Sequence, residues 1–192
     1  MQDHAQVILD DPEGENAKYI PVVKAMLNYG AAAQEYFGHN TKNPANSILD
    51  EGDTETAAVT LSELEAYKCT YTDKDETLDF DGFVISLKSR ITAKFYFSDT
   101  FTANEVAVLV GEQEVESSRL TVDSDSNGTY LAISDINAGD FDQSFTIIVG
   151  GITIDNFSVF SYLRQCLMNN RTDLTDLVNT LYAYNEAIEA IA

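Results

Sequence analysis

TDLTDLVNTLYAYNEAIEAIA, residues 172–192, carries the clearest structural signal in this chain. Its apolar residues recur every three or four positions, so they form one stripe along a helix of about five turns. The members of the stripe are Leu174, Leu177, Val178, Leu181, Tyr184, Ile188 and Ile191. The pattern predicts an amphipathic helix that packs through this stripe, with Thr172 or Asp173 as its N-cap.

A similar stretch lies near the start of the chain. VKAMLNYGAA, residues 23–32, can be aligned with VNTLYAYNEA, residues 178–187. It predicts a helix over about 20–37, with Pro21 in the first turn and Gly38 as its stop. The small residues 30–33 predict a close packing face on this helix, and a ligand slot is the alternative.

A shorter helix precedes each long one, over about 1–11 and 158–168, so each end of the chain predicts a helical hairpin. The two hairpins form a weak internal repeat. Residues 1–38 would then be a brace of this unit or the end of a preceding one. The alternative is that any two amphipathic helices of this composition look alike.

The middle of the chain changes from helical to strand-like periodicity at about residue 57. Alternating runs such as FVISL and AKFYF put one face of each strand inward. The candidate strands are 65–72, 83–89, 92–97, 106–110, 119–123, 129–133, 145–149 and 152–154. Short strands separated by Asp, Gly, Asn and Ser turns favour antiparallel sheets in a sandwich.

The predicted fold class is therefore α+β, an antiparallel β-sandwich flanked by N-terminal and C-terminal helical hairpins. The predicted segments are an N-terminal hairpin at 1–38, a connector at 39–56, a sandwich at 57–156 and a C-terminal hairpin at 157–192. The C-terminal hairpin is expected to pack with 1–38 or on the sheet.

Charge and cysteine content limit the classes of partner. Eleven Lys and Arg against 32 Asp and Glu give a net charge of −21. This deficit of basic residues disfavours nucleic acid and anionic membranes, while the acidity serves solubility or steers a basic partner. Cys69 and Cys166 have no CxxC spacing, so each is expected to be a small buried residue, with a single bridge as the alternative. No apolar run approaches the ~20 residues that a membrane-spanning helix needs.

Four stretches of the chain resemble a module of large secreted or wall-attached surface proteins of gut Clostridia. They are VKAMLNYGAAAQEYFGHNT (23–41), ISLKSRITAKFYF (85–97), TYLAISDINAGDFDQSFTIIVGG (129–151) and LVNTLYAYNEAIEA (177–190). The resemblance extends over nearly the whole chain, with these stretches distributed from residue 23 to residue 190. The resemblance implies a non-catalytic part of a multidomain protein that is extracellular or attached to the cell wall, with neighbouring modules of a larger chain as partners.

Calcium is the cofactor for which the sequence offers a candidate site, although no cofactor is required. Asp123, Asp125 and Asn127, followed by Gly128, match the first half of an EF-hand loop, in which alternating oxygens wrap a hard cation. The twelfth position is Ser134, which lacks the bidentate carboxylate of such loops. The same residues also predict a plain β-hairpin, because Asn-Gly suits positive φ.

Aromatic residues on the predicted strands offer a second candidate site. Tyr67, Tyr71, Tyr96 and Tyr130 could form a flat face for a glycan, since residues 67, 69 and 71 would point the same way on one strand. Packing in the core or at an edge is the alternative use of each ring. The chain has no Trp, the usual sugar-stacking residue.

Catalysis is not expected. The two histidines, His4 and His39, belong to no HExxH pattern, and the chain has no GxSxG motif. The expected function is a non-catalytic binding or adhesion module that engages a host protein or another macromolecule. A carbohydrate-binding accessory module of a glycan-degrading protein and a structural spacer in a tandem array are the alternatives.

Overall fold

The protein folds into two units, and its computed structural model describes residues 2–73, 78–87 and 91–192. One unit, the helical unit, comprises residues 1–60 and 166–192. The other, the sandwich unit, comprises residues 61–165. The end of the predicted strand 83–89, including Ser89, lies outside the described residues.

The long helices of the helical unit are α2 (Ile20–Tyr36) and the last helix of the chain (Thr175–Glu189), and the shorter α1 (Gln2–Leu9) precedes α2. Pro21 lies in the first turn of α2, as predicted, where its missing N–H costs no hydrogen bond. Leu27 of α2 packs in a small core with Ala5 and Val23, and Ile48 and Leu49 of the connector cover it.

The end of α2 is fixed by Gly38, the predicted stop. Gly38 has a φ of +63°, in the left-handed region. The backbone N–H of His39 donates to the Gln34 carbonyl at 2.8 Å, and that of Gly38 donates to the Glu35 carbonyl at 3.1 Å. This pair of bonds is the Schellman arrangement, which satisfies carbonyls that the helix leaves open at its end.

In the described part of the sandwich unit, nine strands build two antiparallel sheets, which confirms the predicted fold class. Their bounds are β1 (Thr70–Asp73), β2 (Phe80–Leu87), β3 (Ile91–Phe97), β4 (Val106–Val110), β5 (Gln113–Glu114), β6 (Leu120–Asp125), β7 (Gly128–Ile136), β8 (Phe145–Val149) and β9 (Ile152–Phe157). The five-stranded sheet has the order β1-β9-β8-β4-β5 and the four-stranded sheet the order β2-β3-β7-β6.

Aromatic rings fill the space between the sheets. Phe157 of β9 contacts Phe95 of β3 with ring centroids 4.6 Å apart, and Phe83 of β2 at 5.0 Å. Phe145 of β8 lies 6.5 Å from the same ring. Phe95, Phe145 and Phe157 are fully buried. Because these rings come from both sheets, they are the shared core of the sandwich.

The predicted β-hairpin over residues 123–128 is present, and a second β-hairpin joins β8 to β9. Asp125 pairs with Gly128, so Ser126 and Asn127 form a two-residue loop between β6 and β7. Gly128 has a φ of +125°, whereas Asn127 does not have a positive φ. Gly150 and Gly151 join β8 to β9, and Gly150 has a φ of +56°.

A helix follows β9. This helix, α3 (Val159–Met168), begins after Ser158, whose hydroxyl accepts from the Ser161 N–H at 3.1 Å while Ser161 Oγ accepts from the Ser158 N–H at 2.9 Å. The reciprocal bonds are those of a capping box, with serine in the place of the usual Glu or Gln. α3 begins in the sandwich unit and ends in the helical unit.

Two predicted elements start with a 3-10 turn rather than with the predicted strand or α-helix. Residues 65–72 do not form one strand, because Glu65–Tyr67 is a 3-10 turn and β1 begins at Thr70. The turn lets the Tyr67 ring pack edge-on against Phe160 at 4.9 Å. The last helix, α4 (Thr175–Glu189), begins later than predicted, because Thr172–Leu174 is also a 3-10 turn and Leu174 takes the N-cap position.

α4 buries the first half of its apolar stripe. Leu174, Leu177, Val178 and Leu181 are buried, while Tyr184, Ile188 and Ile191 are half-buried. α4 packs against α2, where the Tyr184 ring stacks on the Tyr29 ring with centroids 6.0 Å apart. Burial, and then the charge of Tyr184, raises the pKa of Tyr29 to about 12.

Candidate functional site

The helical unit contains a polar cleft of about 620 Å³. The C-terminal half of α2, the connector and the start of α4 enclose it. Residues at the spacing of successive helical turns line it from both helices: Asn28, Ala31, Ala32 and Glu35 from α2, and Asp176, Asn179 and Thr180 from α4. Gln34, Thr41, Pro44, Asn46, Thr54 and Thr56 complete the lining. We call this feature the polar cleft.

Asn28 fixes the connector against α2. Its side chain is only 6% exposed. Asn28 Nδ2 donates to the Asp53 carbonyl at 2.8 Å, and Asn28 Oδ1 accepts from Asn46 Nδ2 at 2.9 Å. Because a carbonyl can only accept, the first bond fixes the orientation of the Asn28 amide. Asn46 Oδ1 is then left as an acceptor on the wall of the polar cleft.

Asn179 presents a buried donor from α4. It is 8% exposed, and its Oδ1 accepts from the Val59 backbone N–H at 3.1 Å. That bond fixes the amide, because a backbone N–H can only donate. The Asn179 Nδ2 group makes no hydrogen bond to any residue that the structure describes. The Asn179 Nδ2 atom keeps access to the polar cleft, where water or a ligand can accept a hydrogen bond from it.

The charges of the polar cleft are negative. Glu35 and Asp176 are the charged side chains of its lining, and no Lys or Arg from the described ranges lines it. Glu35 lies in the last turn of α2, a turn with no basic residue. The aligned peptide dipoles of α2 add partial negative charge at this end of the helix. The polar cleft therefore favours a neutral or cationic ligand over an anionic one.

The small residues predicted as a packing face serve two purposes. A side chain on Gly30 would meet the Ala45 Cβ at 2.9 Å, so Gly30 lets the connector lie close to α2. Ala31 and Ala32 instead line the polar cleft, where their size leaves room for a ligand.

The two candidate sites overlap on the four-stranded sheet. Tyr96 and Tyr130 lie there beside Asp123 and Asp125, two of the candidate calcium ligands. Tyr130 of β7 is paired with Tyr96 of β3 on one side and with Asp123 of β6 on the other. The Tyr96 and Tyr130 ring centroids are 5.5 Å apart. The Tyr130 hydroxyl lies 3.4 Å from Asp123 Oδ2, and the Tyr96 hydroxyl donates to Asp125 Oδ2 at 3.0 Å.

Lys94 occupies the centre of this group. Its Nζ lies 3.7 Å from the Tyr130 ring centroid and 3.4 Å from Asp125 Oδ2. The ammonium therefore covers the face of Tyr130 on which a sugar would stack. Tyr96 is only 9% exposed. This pair of tyrosines forms a closed structural cluster rather than an open platform.

The carboxylate of Asp125 is engaged within the protein. The backbone N–H of Asn127 donates to it at 2.8 Å. This bond, followed by those from Tyr96 and Lys94, holds the pKa of the Asp125 carboxyl below its usual range. Across the described residues, no three His, Cys, Asp or Glu side chains gather as a metal site would require. Calcium binding at Asp123, Asp125 and Asn127 stays a prediction, and it would compete with the Lys94 ammonium for Asp125.

The other two candidate tyrosines lie apart from this cluster. Tyr67 is half-buried in the 3-10 turn against Phe160, so it does not share a strand face with Tyr71. Tyr71 on β1 is 59% exposed and contacts Phe80 with centroids 5.4 Å apart. Of the four rings, Tyr71 is the one that is open to a ligand.

The sandwich unit also has an apolar crevice of about 410 Å³ between its sheets. Val106 and Val108 of β4 form one wall, and Leu120 and Val122 of β6 form the other. The chain 114–117, which lines one side, passes from one sheet to the other. Cys69 and Cys166 form no disulfide with each other. Burial, followed by the charge of Asp155, raises the pKa of Cys69 to about 11.

The polar cleft was not predicted, although its signal is present in the sequence. Residues 28, 31, 32 and 35 repeat at helical spacing, as do 176, 179 and 180. Each set is a stripe of amide, hydroxyl, carboxylate and small side chains beside the apolar one. Sequence alone gives no reason to bring the two stripes together.

The fold defines an α+β protein with a two-sheet antiparallel sandwich and a helical unit that carries the polar cleft. No family model matches the chain, and no curated protein or solved structure is significantly similar to it. No helix within the described ranges is long and apolar enough to span a membrane.

Proposed function

We propose that this chain is a non-catalytic binding module of an exported bacterial surface protein, and that the polar cleft is its binding site. The observation that carries the proposal is the Asn179 amide, whose side chain is mostly buried and fixed at Oδ1, and whose Nδ2 donor is accessible from a cleft of about 620 Å³. Cavities of this size hold small ligands or a few side chains of a larger partner.

The chemistry of the lining supports binding rather than catalysis. Its amide groups and threonine hydroxyls form hydrogen bonds without ionising at neutral pH, and its two carboxylates, on Glu35 and Asp176, are both exposed to solvent. Asn28 is held by the backbone carbonyl of Asp53 and Asn179 by the backbone N–H of Val59, so the site is organised before a ligand arrives. Such preorganisation lowers the entropic cost of binding.

The exported location rests on other support. The resemblance to surface modules of gut Clostridia, stated above for four stretches of the chain, implies an extracellular or wall-attached protein. The net charge of −21 suits a solvated surface domain. Neighbouring modules of a larger chain would then be its covalent partners.

A carbohydrate-binding accessory module is the second candidate, and the amides and hydroxyls of the polar cleft favour it. Such groups pair with sugar hydroxyls, which both donate and accept. Tyr71 offers an exposed ring on the sandwich unit. Glycan binding at Tyr71 would be independent of the polar cleft, so the two sites can be separated by substitution.

The experiment is a binding screen on arrays of glycans and of extracellular host proteins. The wild-type chain is compared with Ala32→Trp, which fills the polar cleft, and with Thr41→Trp, which obstructs it from an exposed loop position. Ala58→Trp is the matched control, because Ala58 is exposed and is not part of the lining.

We expect every specific hit to weaken at least tenfold in both cleft variants and to persist in the control. Circular dichroism on each variant separates loss of binding from loss of folding, and Thr41→Trp serves if Ala32→Trp does not fold. An array without hits, or hits that both folded cleft variants retain, would contradict the proposal and favour a structural spacer.

A further inference from the structure

We infer that the polar cleft holds a lysine or arginine side chain of a protein partner, an inference that rests on the proposed function. It specifies the group that is recognised and the residues that recognise it. Glu35 and Asp176 bind the cation, and Asn179 Nδ2 donates to a backbone carbonyl of the same partner segment.

The first support is the balance of charge. Two carboxylates, from α2 and from α4, line the polar cleft without a basic side chain beside them in the described lining. Both side chains are exposed, so neither is consumed in packing. The C-terminus of α2 adds partial negative charge next to Glu35 and the N-terminus of α4 adds partial positive charge next to Asp176, so the two carboxylates supply the net negative charge that a cation would neutralise.

The second support is the balance of donors and acceptors. The Glu35 and Asp176 carboxylates and Asn46 Oδ1 all accept. Thr180 donates its hydroxyl hydrogen to the Asp176 carbonyl at 2.7 Å, which leaves its oxygen to accept as well. A partner must therefore bring several donors, and an ammonium brings three and a guanidinium five.

The third support is the donor that the fixed Asn179 amide presents to the polar cleft. Asn179 Nδ2 needs an acceptor, and a lysine side chain alone has none. A peptide segment supplies both groups, a cation on the side chain and a carbonyl on the backbone. A free metal cation would leave the Asn179 donor unmatched, and an anion would meet two carboxylates.

The net charge of the chain acts in the same direction. At −21, the chain attracts basic surfaces from a distance, and the attraction weakens as salt rises. Long-range attraction raises the association rate, while contacts in the polar cleft set the dissociation rate. The inference therefore predicts salt-dependent binding together with a defined contact at Asn179.

The experiment uses the full chain and three blocked peptides, Ac-Gly-Gly-Lys-Gly-Gly-NH2, its arginine analogue and its norleucine analogue. Binding is followed by chemical-shift perturbation of ¹⁵N-labelled protein, including the side-chain amide of Asn179. The test variant carries Glu35→Gln and Asp176→Asn. The control carries Glu13→Gln and Glu186→Gln, the same change of charge at exposed positions of the helical unit outside the cleft.

We expect the lysine and arginine peptides to shift the Asn179 side-chain amide, with Kd on the order of 1 mM. The double cleft variant should bind at least tenfold more weakly, and the control should stay within about twofold, because exposed distant charges are screened by salt. The norleucine peptide should leave the Asn179 amide unchanged.

Three results would overturn the inference: norleucine binding equal to lysine, equal losses in the two double variants, or no shift at roughly 10 mM peptide, which would saturate a site of that Kd. A partner from the array that needs an open cleft but tolerates Glu35→Gln with Asp176→Asn would also overturn it, while the proposed function would stand. Array hits that ignore Ala32→Trp and Thr41→Trp would instead remove the proposed function.

Discussion

The two units of this protein bury different kinds of side chain. In the sandwich unit, phenylalanines from both sheets meet, and Phe157 contacts Phe83, Phe95 and Phe145. In the helical unit, the apolar core around Leu27 is small, and Asn28, Asn179 and Asn185 are buried near or between the helices. The stability of the sandwich unit therefore comes mainly from apolar area removed from water, whereas that of the helical unit depends also on the hydrogen bonds of its buried amides.

The difference suggests a division of roles. A packed aromatic core tolerates no ligand and holds its shape, since each ring is fixed by its neighbours. Buried amides that are only partly satisfied leave hydrogen-bonding capacity, and in this protein that capacity faces the polar cleft. Under the proposed function, the sandwich unit supplies a stable framework and the helical unit supplies the binding site.

Truncation of the aromatic core should have the largest effect. We expect Phe157→Ala to lower the free energy of unfolding by about 3–5 kcal/mol, because it leaves a cavity among three other rings. Urea unfolding followed by circular dichroism measures the change. Phe37→Ala is the control, since Phe37 is 56% exposed, and it should change stability by less than about 1 kcal/mol. Equal losses of stability in Phe157→Ala and Phe37→Ala would contradict the view that the aromatic core stabilises the sandwich unit.

Removal of a buried amide should have a smaller effect. Asn28→Ala leaves the Asp53 carbonyl and the Asn46 amide without their partner, at a cost of about 1–3 kcal/mol. The same urea experiment tests it against Asn169→Ala, an exposed position of the helical unit, which should be neutral within about 0.5 kcal/mol. A neutral Asn28→Ala would mean that the amides do not support the helical unit.

The end of α2 offers a third and smaller test. Gly38 has a φ of +63°, and a Cβ there would meet no atom within 4 Å. Gly38→Ala should therefore cost about 1 kcal/mol from backbone strain alone. Gly52→Ala is the matched control, because Gly52 has equal space and no left-handed φ, so it should be neutral or slightly stabilising. Similar thermal midpoints for the two variants would contradict this.

The smallest effect at neutral pH is expected for Tyr29→Phe, which keeps the ring that stacks on Tyr184. The pKa of Tyr29 is raised from 10.0 to about 12, so the folded state holds its proton more tightly than the unfolded state. The associated stability is complete below pH 10 and is lost as pH rises towards 12. Urea unfolding across this range should show a steeper fall for wild type than for Tyr29→Phe. Parallel curves would mean that the Tyr29 hydroxyl is not buried.

Much of the fold could be predicted from local patterns. The period of three to four residues located α2 and α4, the period of two located the central strands, and glycines marked the stop of α2 and the turn between β8 and β9. The strand predicted at 65–72 failed at its start because the contact of Tyr67 with Phe160, which lies far along the chain, favours a 3-10 turn. A contact at such separation leaves no trace in local periodicity.

The candidate sites were harder to predict than the elements. Tyr96, Tyr130, Asp123 and Asp125 were each chosen for a possible ligand, yet strand register brings them together around Lys94, where they bind one another. The polar cleft was missed because its residues are ordinary on their own helices. Asn28 and Asn179 gain meaning only when α2, the connector and α4 come together.

The sequence by itself determined the α+β class, the long helices, the strand-rich middle and the acidity, because each depends on neighbours along the chain or on composition. The tertiary structure alone decided which polar side chains are satisfied and which remain open. That outcome depends on groups distant in sequence, such as the Val59 N–H that takes one end of the Asn179 amide and leaves the other facing the polar cleft.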